Sequence, residues 1–136
     1  MKHWIFISST KRFRMHDWLN DNDFVEYVQK NKVQVNDIVY LYTTAPVQRI
    51  EYKMIVERIN IPFDEIVDDS AYHIPQTPSE VINRNALYVR LGLLEKVENP
   101  LLHLNFLRAY GLRSSMQSAI TVSGELLEYI ESKFSK

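Results

Sequence analysis

The sequence contains no cysteine, and this absence excludes a disulfide framework, a thiolate nucleophile and a cysteine-ligated zinc site. The 3 glycines are too scattered to form a glycine-rich phosphate-binding loop. The 4 histidines do not have the spacing of metal ligands, so we predict neither a metal site nor a cofactor. No apolar run reaches the ~20 residues of a membrane span, and no signal-peptide core is present, so we expect a cytoplasmic protein with no membrane partner.

A strong charge of one sign is also missing. With a net charge of −1, the protein lacks the basic character of domains that bind nucleic acid through a bulk electrostatic surface. The cations are uneven along the chain, and a basic cluster occupies its start: Lys2, His3, Lys11, Arg12, Arg14 and His16. This cluster also fits an ordinary solvated surface, so any binding of nucleic acid has to be local.

The chain has the size and composition of one globular domain spanning residues 1–136. Of these residues, 46% are hydrophobic and 24% are charged. A domain of this size buries roughly two-thirds of the surface of its unfolded chain, so it can be stable without a metal or a disulfide. No repeat or linker divides the sequence, and we expect a monomer.

Strands are predicted where aromatic and β-branched residues are concentrated, at residues 3–8, 35–43, 50–59 and 86–96. In the second strand, alternation places Tyr40 and Tyr42 on one face and Val39 and Leu41 on the other, so that one face packs and the other is free to recognise a ligand. In the third strand, alternation places Glu51, Lys53 and Ile55 on one face, opposite Tyr52, Met54 and Val56, so neither face is wholly polar, which favours a barrel. Gly92 in the fourth strand predicts a bulge or a bend.

Helices are predicted between these strands and after them. Asp21 or Asn22 can cap a helix over residues 23–30, which leaves Trp18 in a loop. Residues 61–76 have no sustained period and are interpreted as a surface excursion, and a capping box at residues 77–80 predicts a short helix. A helix that starts at residues 99–100 and ends at Gly111, a polar linker over residues 112–122, and a final helix capped by Ser123 complete the chain.

Three segments in this order carry a family resemblance: WIFIS at residues 4–8, VNDIVYLY at residues 35–42, and GLRSSMQ at residues 111–117 followed by GELL at residues 124–127. Together they resemble the EVE domain family, a branch of the PUA-like β-barrels that also contains YTH and ASCH domains. Family members usually have glycine before the aspartate of the second segment, where this chain has Asn36. Asparagine tolerates a left-handed backbone better than most residues, so the departure is modest.

The resemblance implies an α+β fold, a PUA-like mixed β-barrel of five to six strands flanked by helices. It further implies a pocket that holds a flipped-out modified base, methylated or hydroxymethylated, in DNA or RNA. Such a domain is a reader without chemistry of its own. We therefore expect it to act with a partner such as a nuclease or another effector.

A base reader needs aromatic faces for stacking, short polar groups for the base edge and cations for phosphate. The stacking candidates are aromatic residues near strand ends or in the predicted loop, and the polar candidates end strands or lie in the loop that, by resemblance, closes over the pocket. The base-binding candidates are Ser8, Ser9, Trp18, Tyr42, Thr43, Thr44, Tyr52 and Gln117. The phosphate-binding candidates are Lys11, Arg12, Arg14 and Arg113.

Other interpretations stay open. Trp18 and Tyr42 equally fit core packing, and the domain equally fits a small-ligand or protein-interaction module. ASCH-type relatives can hydrolyse modified nucleosides with a lysine, a threonine and a glutamate. An amidohydrolase of that kind would use Lys53, Thr43 or Thr44, and Glu57, although their spacing matches no family motif.

Overall fold

A computed structural model describes residues 1–74 and 85–135 of the chain. The described residues contain six strands and three α-helices in the order β1 (His3–Ser8), α1 (Met15–Asp21), β2 (Phe24–Val28), β3 (Ile38–Thr43), β4 (Arg49–Pro62), β5 (Leu87–Lys96), α2 (Leu104–Ala109), β6 (Ile120–Val122) and α3 (Gly124–Glu131). Short 3-10 turns occur at Phe63–Glu65, Ser70–Tyr72 and Pro100–Leu102. The capping box predicted at residues 77–80, with its short helix, lies outside the described residues.

The strands form one mixed sheet that curls on itself. Its order is β2-β5-β4-β3-β1-β6, with β1 and β3 parallel and the other neighbours antiparallel. Three strands separate β2 from β1, yet the hydroxyl of Tyr27 donates to the carbonyl oxygen of Ile7 at 3.2 Å. The ring of Tyr27 also meets that of Phe6 at a centroid distance of 5.5 Å. This half-barrel with flanking helices confirms the predicted α+β, PUA-like architecture.

Helix α1 occupies the stretch that was predicted as a loop around Trp18. Met15, Trp18 and Leu19 recur at helical spacing, and all three are buried. The indole nitrogen of Trp18 donates to the carbonyl oxygen of Phe24. The loop prediction is wrong because these three apolar side chains form the buried stripe of a short helix.

Residues 23–30, predicted as a helix, contain β2 instead. Phe24, Val25 and Val28 do recur at helical spacing, but aromatic and β-branched residues in succession also favour a strand. Val25 pairs with Leu91 in the antiparallel ladder between β2 and β5. The prediction is wrong because pairing with β5 decides the state of a segment whose sequence fits both.

Strand β3 is buried on both faces. Tyr40 and Tyr42 pack in a core formed with α2 and α3, whereas Val39 and Leu41 pack in the core enclosed by the curled sheet. The predicted alternation is therefore confirmed. The expectation of one free face is wrong, because helices cover the tyrosine side of the strand.

A buried carboxylate joins the beginnings of β1 and β3. Asp37 is 2% exposed, and it accepts hydrogen bonds from the backbone nitrogens of Lys2 and Gln34, both at 2.9 Å, and from the indole nitrogen of Trp4 at 3.0 Å. Burial would raise the pKa of Asp37, but these hydrogen bonds outweigh it and hold the pKa below its ordinary value. The carboxylate therefore helps to fix the register of the two parallel strands.

Strand β4 contains a bulge where it crosses β3. Leu41 pairs with Tyr52, but the next residue, Tyr42, pairs with Ile50, so Glu51 is an extra residue in the ladder. A bulge of this kind changes the direction of the side chain that it carries.

The bulge overturns the prediction that Glu51 and Lys53 share a face. Glu51 contacts His16 of α1 at 2.7 Å. Lys53 donates to Glu131 of α3 at 2.9 Å, on the other side of the sheet. The inserted residue breaks the alternation between them.

The other predicted elements are largely confirmed. β4 extends to Pro62, into the stretch interpreted as a surface excursion, and β5 agrees closely with its prediction. Gly92 itself pairs regularly with Phe24 and Ile55, but the β4–β5 ladder shifts register on either side of it, between Lys53 and Met54 and between Val56 and Arg58. α2 and α3 confirm the two C-terminal helices, whereas the linker between them contains the short strand β6. Within the described ranges, no helix has the length and apolar composition needed to cross a membrane.

Candidate functional site

The carboxyl ends of the parallel strands β1 and β3 meet at one edge of the sheet. Ser8 and Thr43 are partners in the ladder, and the backbone nitrogen of Thr44 donates to the carbonyl oxygen of Ser8 at 3.1 Å. The backbone nitrogen of Thr10 donates to the Thr44 hydroxyl at 3.0 Å, so the segments after the two strands are also joined. Carboxyl ends of parallel strands are frequent ligand sites because polar groups converge there.

An open cleft of about 280 Å³ lies at this edge, between the strand ends and the start of α1. Its walls combine hydroxyl, charged and apolar groups: Ser8, Thr10, Phe13, Arg14, Met15, His16, Asp17, Thr43 and Val47. Small-molecule pockets measure roughly 300–1,000 Å³, so this cleft suits one small planar group better than a large ligand.

The carboxylate of Glu51 is buried next to the cleft. Glu51 is 1% exposed. Its Oε1 lies 2.7 Å from Nε2 of His16, and its Oε2 accepts from Nη2 of Arg49 at 3.2 Å. The β4 bulge gives Glu51 this direction, because without the extra residue the side chain would point to the side of α3.

The electrostatics of Glu51 follow from its partners. Burial would raise the pKa of Glu51, but the nearby Thr43 hydroxyl and the bonds to His16 and Arg49 outweigh it and hold the pKa below its ordinary value. Glu51 is therefore ionised at neutral pH. A buried charge of this kind is costly unless it is paired and hydrogen-bonded, as it is here.

His16 connects Glu51 with the solvent. Its side chain is 46% exposed and lines the cleft, whereas the carboxylate that it contacts is 2% exposed. The ring of Tyr52 lies 5.7 Å from the imidazole, centroid to centroid. An imidazole that is anchored at one nitrogen and open at its other edge can take part in hydrogen bonding with a ligand.

Phe13 supplies the aromatic wall of the cleft. It is partly buried, and its ring meets those of His73, at 5.0 Å, and Trp18, at 6.3 Å. Phe13 is not among the stacking residues predicted from the sequence. The signal was present, because Phe13 lies between Arg12 and Arg14 in the basic cluster, and aromatic residues among cations are typical of nucleic-acid surfaces.

The three predicted stacking residues do not line the cleft. Trp18, Tyr42 and Tyr52 are only 4%, 3% and 1% exposed. Trp18 and Tyr52 belong to the core enclosed by the sheet, whereas Tyr42 belongs to the core under the helices. The structure does not bring the three together in one cage, because the sheet lies between Trp18 and Tyr42.

The predicted polar residues fall into two groups. Ser8 and Thr43 line the cleft, and Ser9 and Thr44 follow them directly in the chain. Gln117 is exposed in the segment before β6 and is not part of the cleft wall. The structure thus brings together the predicted residues at the ends of the parallel strands, but not Gln117.

The predicted phosphate ligands also separate. Lys11 and Arg12 are exposed beside the cleft, in the turn after β1. Arg14 lines the cleft, but its guanidinium is bonded to Asp17 at 2.9 Å and to the carbonyl oxygen of Ala71. Arg113 is exposed in the segment that follows α2.

The lysine, threonine and glutamate of the hydrolase interpretation are not assembled. Lys53 is bonded to Glu131 on the helical side of the sheet, Thr43 lines the cleft, and Glu57 is exposed with its carboxyl group against Gly92. No group of three potential metal ligands is present in the described part of the chain.

A wider groove of about 450 Å³ runs along α1, beside the cleft. Four of its lining side chains are already paired, because Arg14 bonds Asp17, and Tyr72 donates to Asp21 at 2.7 Å. The chemistry therefore favours the smaller cleft.

Comparisons with known proteins support the fold. The sequence matches no family model, and it matches no curated protein. Similar solved structures include ASCH from Zymomonas mobilis, with a TM-score of 0.65 at 11% identity over 96% of this chain and 94% of that chain. A protein from Pseudomonas syringae has a TM-score of 0.65 at 17% identity over 96% and 97% of the two chains. A hypothetical protein from Leishmania major has a TM-score of 0.60 at 18% identity over 97% and 93%.

At these identities the likeness concerns the fold alone, and nearly the whole of each chain shares it. The narrower assignment to the EVE family stays a prediction. The chain has the PUA-like fold, and ASCH is among its structural neighbours.

Proposed function

We propose that this protein binds nucleic acid and takes one modified base, methylated or hydroxymethylated, into the cleft at the ends of β1 and β3. The observation that carries the proposal is the cleft itself, a small recess of about 280 Å³ with apolar, hydroxyl and charged groups in its walls, where Ser8 and Thr43 meet. The PUA-like fold supports the proposal as an analogy.

The cleft matches a flat base in shape and chemistry. Phe13, Met15 and Val47 give it apolar walls against which a ring can pack. The hydroxyls of Ser8 and Thr10, which also line the cleft, can bond the edge of the ring, whereas the hydroxyl of Thr43 is buried in the cleft wall. Proteins that read single bases in this way combine stacking with hydrogen bonds to the base edge.

The electrostatics favour a local contact. Lys11 and Arg12 are exposed beside the cleft, whereas the whole chain has a net charge of −1. A phosphate next to the bound base would reach these two cations, and the rest of the surface would add little. We therefore expect weak binding of plain duplexes and a requirement for a base that is flipped out or unpaired.

A reader of this kind performs no chemistry, so we also propose that an effector, such as a nuclease, acts with it. The sugar that carries the base, deoxyribose or ribose, is left to the test. The experiment therefore uses both nucleic acids in parallel.

The test is a fluorescence anisotropy titration with labelled single-stranded DNA and RNA oligonucleotides that carry one central base, plain, methylated or hydroxymethylated. Free nucleosides form a separate arm, which reports on the small-ligand alternative. Replacing Thr10 by valine keeps the shape of the side chain and removes a hydroxyl from the cleft. We expect this variant to bind the preferred oligonucleotide about 2- to 10-fold more weakly, as befits one lost hydrogen bond.

Two matched controls accompany the test. Thr121→Val makes the same change at an exposed position of β6 and is expected to bind like the wild type. The double variant Lys11→Gln, Arg12→Gln is expected to reduce the salt dependence of binding, and Lys30→Gln, Lys32→Gln removes the same charge elsewhere. Equal, weak binding to every oligonucleotide, unchanged in these variants, would refute the proposal.

A further inference from the structure

The pair formed by His16 and Glu51 determines which hydrogen-bonding group the cleft presents. We propose that Nδ1 of His16 accepts a hydrogen bond from an amino group of the bound base, so that the cleft prefers bases with an amino edge over bases with a carbonyl oxygen at the same ring position. This inference rests on the proposed function, which places a base in the same cleft.

The first step concerns the state of Glu51. An ionised carboxylate only accepts hydrogen bonds, and Glu51 is ionised for the reasons given above. Its Oε2 is bonded by Arg49, which only donates, and its Oε1 lies 2.7 Å from Nε2 of His16. The Nε2 atom of His16 must therefore carry a hydrogen and donate it to Glu51.

The second step follows from the imidazole. A neutral ring with its hydrogen on Nε2 has a lone pair on Nδ1, which can only accept. His16 lines the cleft with 46% of its side chain exposed, and no side chain in the described ranges bonds its Nδ1. Because Glu51 holds one edge of the ring, the acceptor is oriented before a ligand arrives.

The third step compares His16 with its neighbours. Ser8 and Thr10 carry hydroxyls that can rotate to donate or to accept, so they fit either kind of base edge. Asp17 also lines the cleft, but its carboxylate is paired with Arg14 at 2.9 Å. While its ring is neutral, His16 is thus the group whose hydrogen-bonding role is fixed before a ligand binds, and the binding assays below are run at pH 8 for this reason.

The preferred ligands follow from this fixed role. The exocyclic amino groups of cytosine and adenine donate, whereas the carbonyl oxygens of uracil and hypoxanthine at the equivalent positions accept and would face a lone pair. An amino group with a single methyl substituent keeps one hydrogen for His16. A dimethylated amino group has none and is expected to be rejected.

The variant Glu51→Gln provides a sharp test. Arg49 can only donate, so it selects the amide oxygen of the new side chain and turns the amide nitrogen toward His16. That nitrogen donates to Nε2, which moves the imidazole hydrogen to Nδ1. The cleft then presents a donor, and its preference should reverse.

The measurement is the affinity of the wild type and of Glu51→Gln for oligonucleotides that differ only at the central base, cytosine against uracil and adenine against hypoxanthine. We expect the wild type to favour the amino member of each pair by about tenfold and the variant to favour the carbonyl member by a similar factor. Glu57→Gln, an exposed change in the same strand, should leave the wild-type preference intact.

The outcomes separate the two proposals. Binding without an amino preference, or a Glu51→Gln variant that keeps the wild-type preference, would overturn the inference and leave the proposed function standing. A wild type that binds neither these oligonucleotides nor those with a methylated or hydroxymethylated base would overturn both.

A second measurement keeps the inference testable if Glu51→Gln fails to fold. Long-range proton–nitrogen NMR correlations at pH 8 distinguish the two neutral forms of histidine. The signals of His16 are assigned by their loss in His16→Gln, a change at an exposed side chain. We expect the hydrogen on Nε2 of the wild type, and finding it on Nδ1 would overturn the inference.

Discussion

Two aromatic residues, 6.3 Å apart between ring centroids, are expected to have separate roles, Phe13 in binding and Trp18 in stability. Trp18 is 4% exposed, and its indole nitrogen bonds Phe24. Truncating a buried tryptophan to alanine costs about 3–5 kcal/mol, because it removes buried apolar surface and leaves a cavity. Phe13 is partly exposed at the cleft wall, so Phe13→Ala should lower the free energy of unfolding by only about 1–2 kcal/mol.

The effects on binding should be the reverse. Stacking of a base on an aromatic side chain contributes about 1–3 kcal/mol, so Phe13→Ala should weaken binding of the preferred oligonucleotide by roughly 5- to 150-fold. Trp18→Phe keeps a ring in the core and removes the bond to Phe24. This variant should be less stable by about 1–3 kcal/mol, because it leaves a buried carbonyl without its donor, and bind within about twofold of the wild type.

Both quantities can be measured on the same preparations. Urea unfolding gives the free energy of unfolding, and an anisotropy titration under conditions where each variant is folded gives the affinity. The reasoning would be refuted if Trp18→Phe lost binding while folded, or if Phe13→Ala bound as tightly as the wild type. The first result would return the stacking role to Trp18, as the sequence predicts, and the second would exclude Phe13 as the stacking residue.

Two further predictions concern the sheet that holds the cleft. Asp37→Asn should lower the free energy of unfolding by about 2–3 kcal/mol at pH 7, because at least one of its three buried donors then faces an amide N–H, whereas the exposed Asp64→Asn should change little. The pKa of Asp37 is lowered by folding, so its contribution is present above its ordinary pKa and disappears as the pH falls through the lowered value; urea unfolding at decreasing pH should show the gap between wild type and variant closing. Gly92→Ala would place a Cβ 2.5 Å from the Glu57 carboxyl carbon, but this exposed side chain can move aside, so the free energy of unfolding should stay within about 1 kcal/mol of the wild type. A loss above about 2 kcal/mol would show that Glu57 is held in place.

Much of the sheet could be predicted because its strands are long and strongly patterned. Alternation in β3 correctly separated Tyr40 and Tyr42 from Val39 and Leu41. Asn36, in the place of the usual glycine, has a φ of 75°, the left-handed backbone that such a position requires.

The secondary structure of Met15 to Val28 is predicted wrongly, with a loop in the place of α1 and a helix in the place of β2. The reason is physical. The helix has 7 residues and the strand has 5, so each is too short for a periodic pattern to decide. Tertiary contacts decide instead, through the burial of Trp18 in α1 and the pairing of Val25 with β5. Because Trp18 lies on the buried side of a helix rather than in a loop, its ring does not line the cleft.

The candidate site was predictable only where it depends on the ends of regular strands. Ser8 and Thr43 end two strands, and the parallel pairing of those strands brings them together. A position next to a strand end favours Tyr42 and Tyr52 as stacking residues. A large ring near a strand end is usually buried, however, and both of these are. The position of Phe13 in the cleft wall could not be predicted, because the segment after β1 has no periodic pattern that indicates where its side chains point.

The role of Glu51 depends on one extra residue in a ladder. Strict alternation assigns Glu51 and Lys53 to the same face, where they would form an ordinary ion pair network with α3. The bulge instead sends Glu51 toward His16 and leaves Lys53 with Glu131. A carboxylate that would have helped only to dock a helix now orients an imidazole at the cleft. Because this arrangement needs no excess of positive charge, a chain with a net charge of −1 can still present a site for a single base.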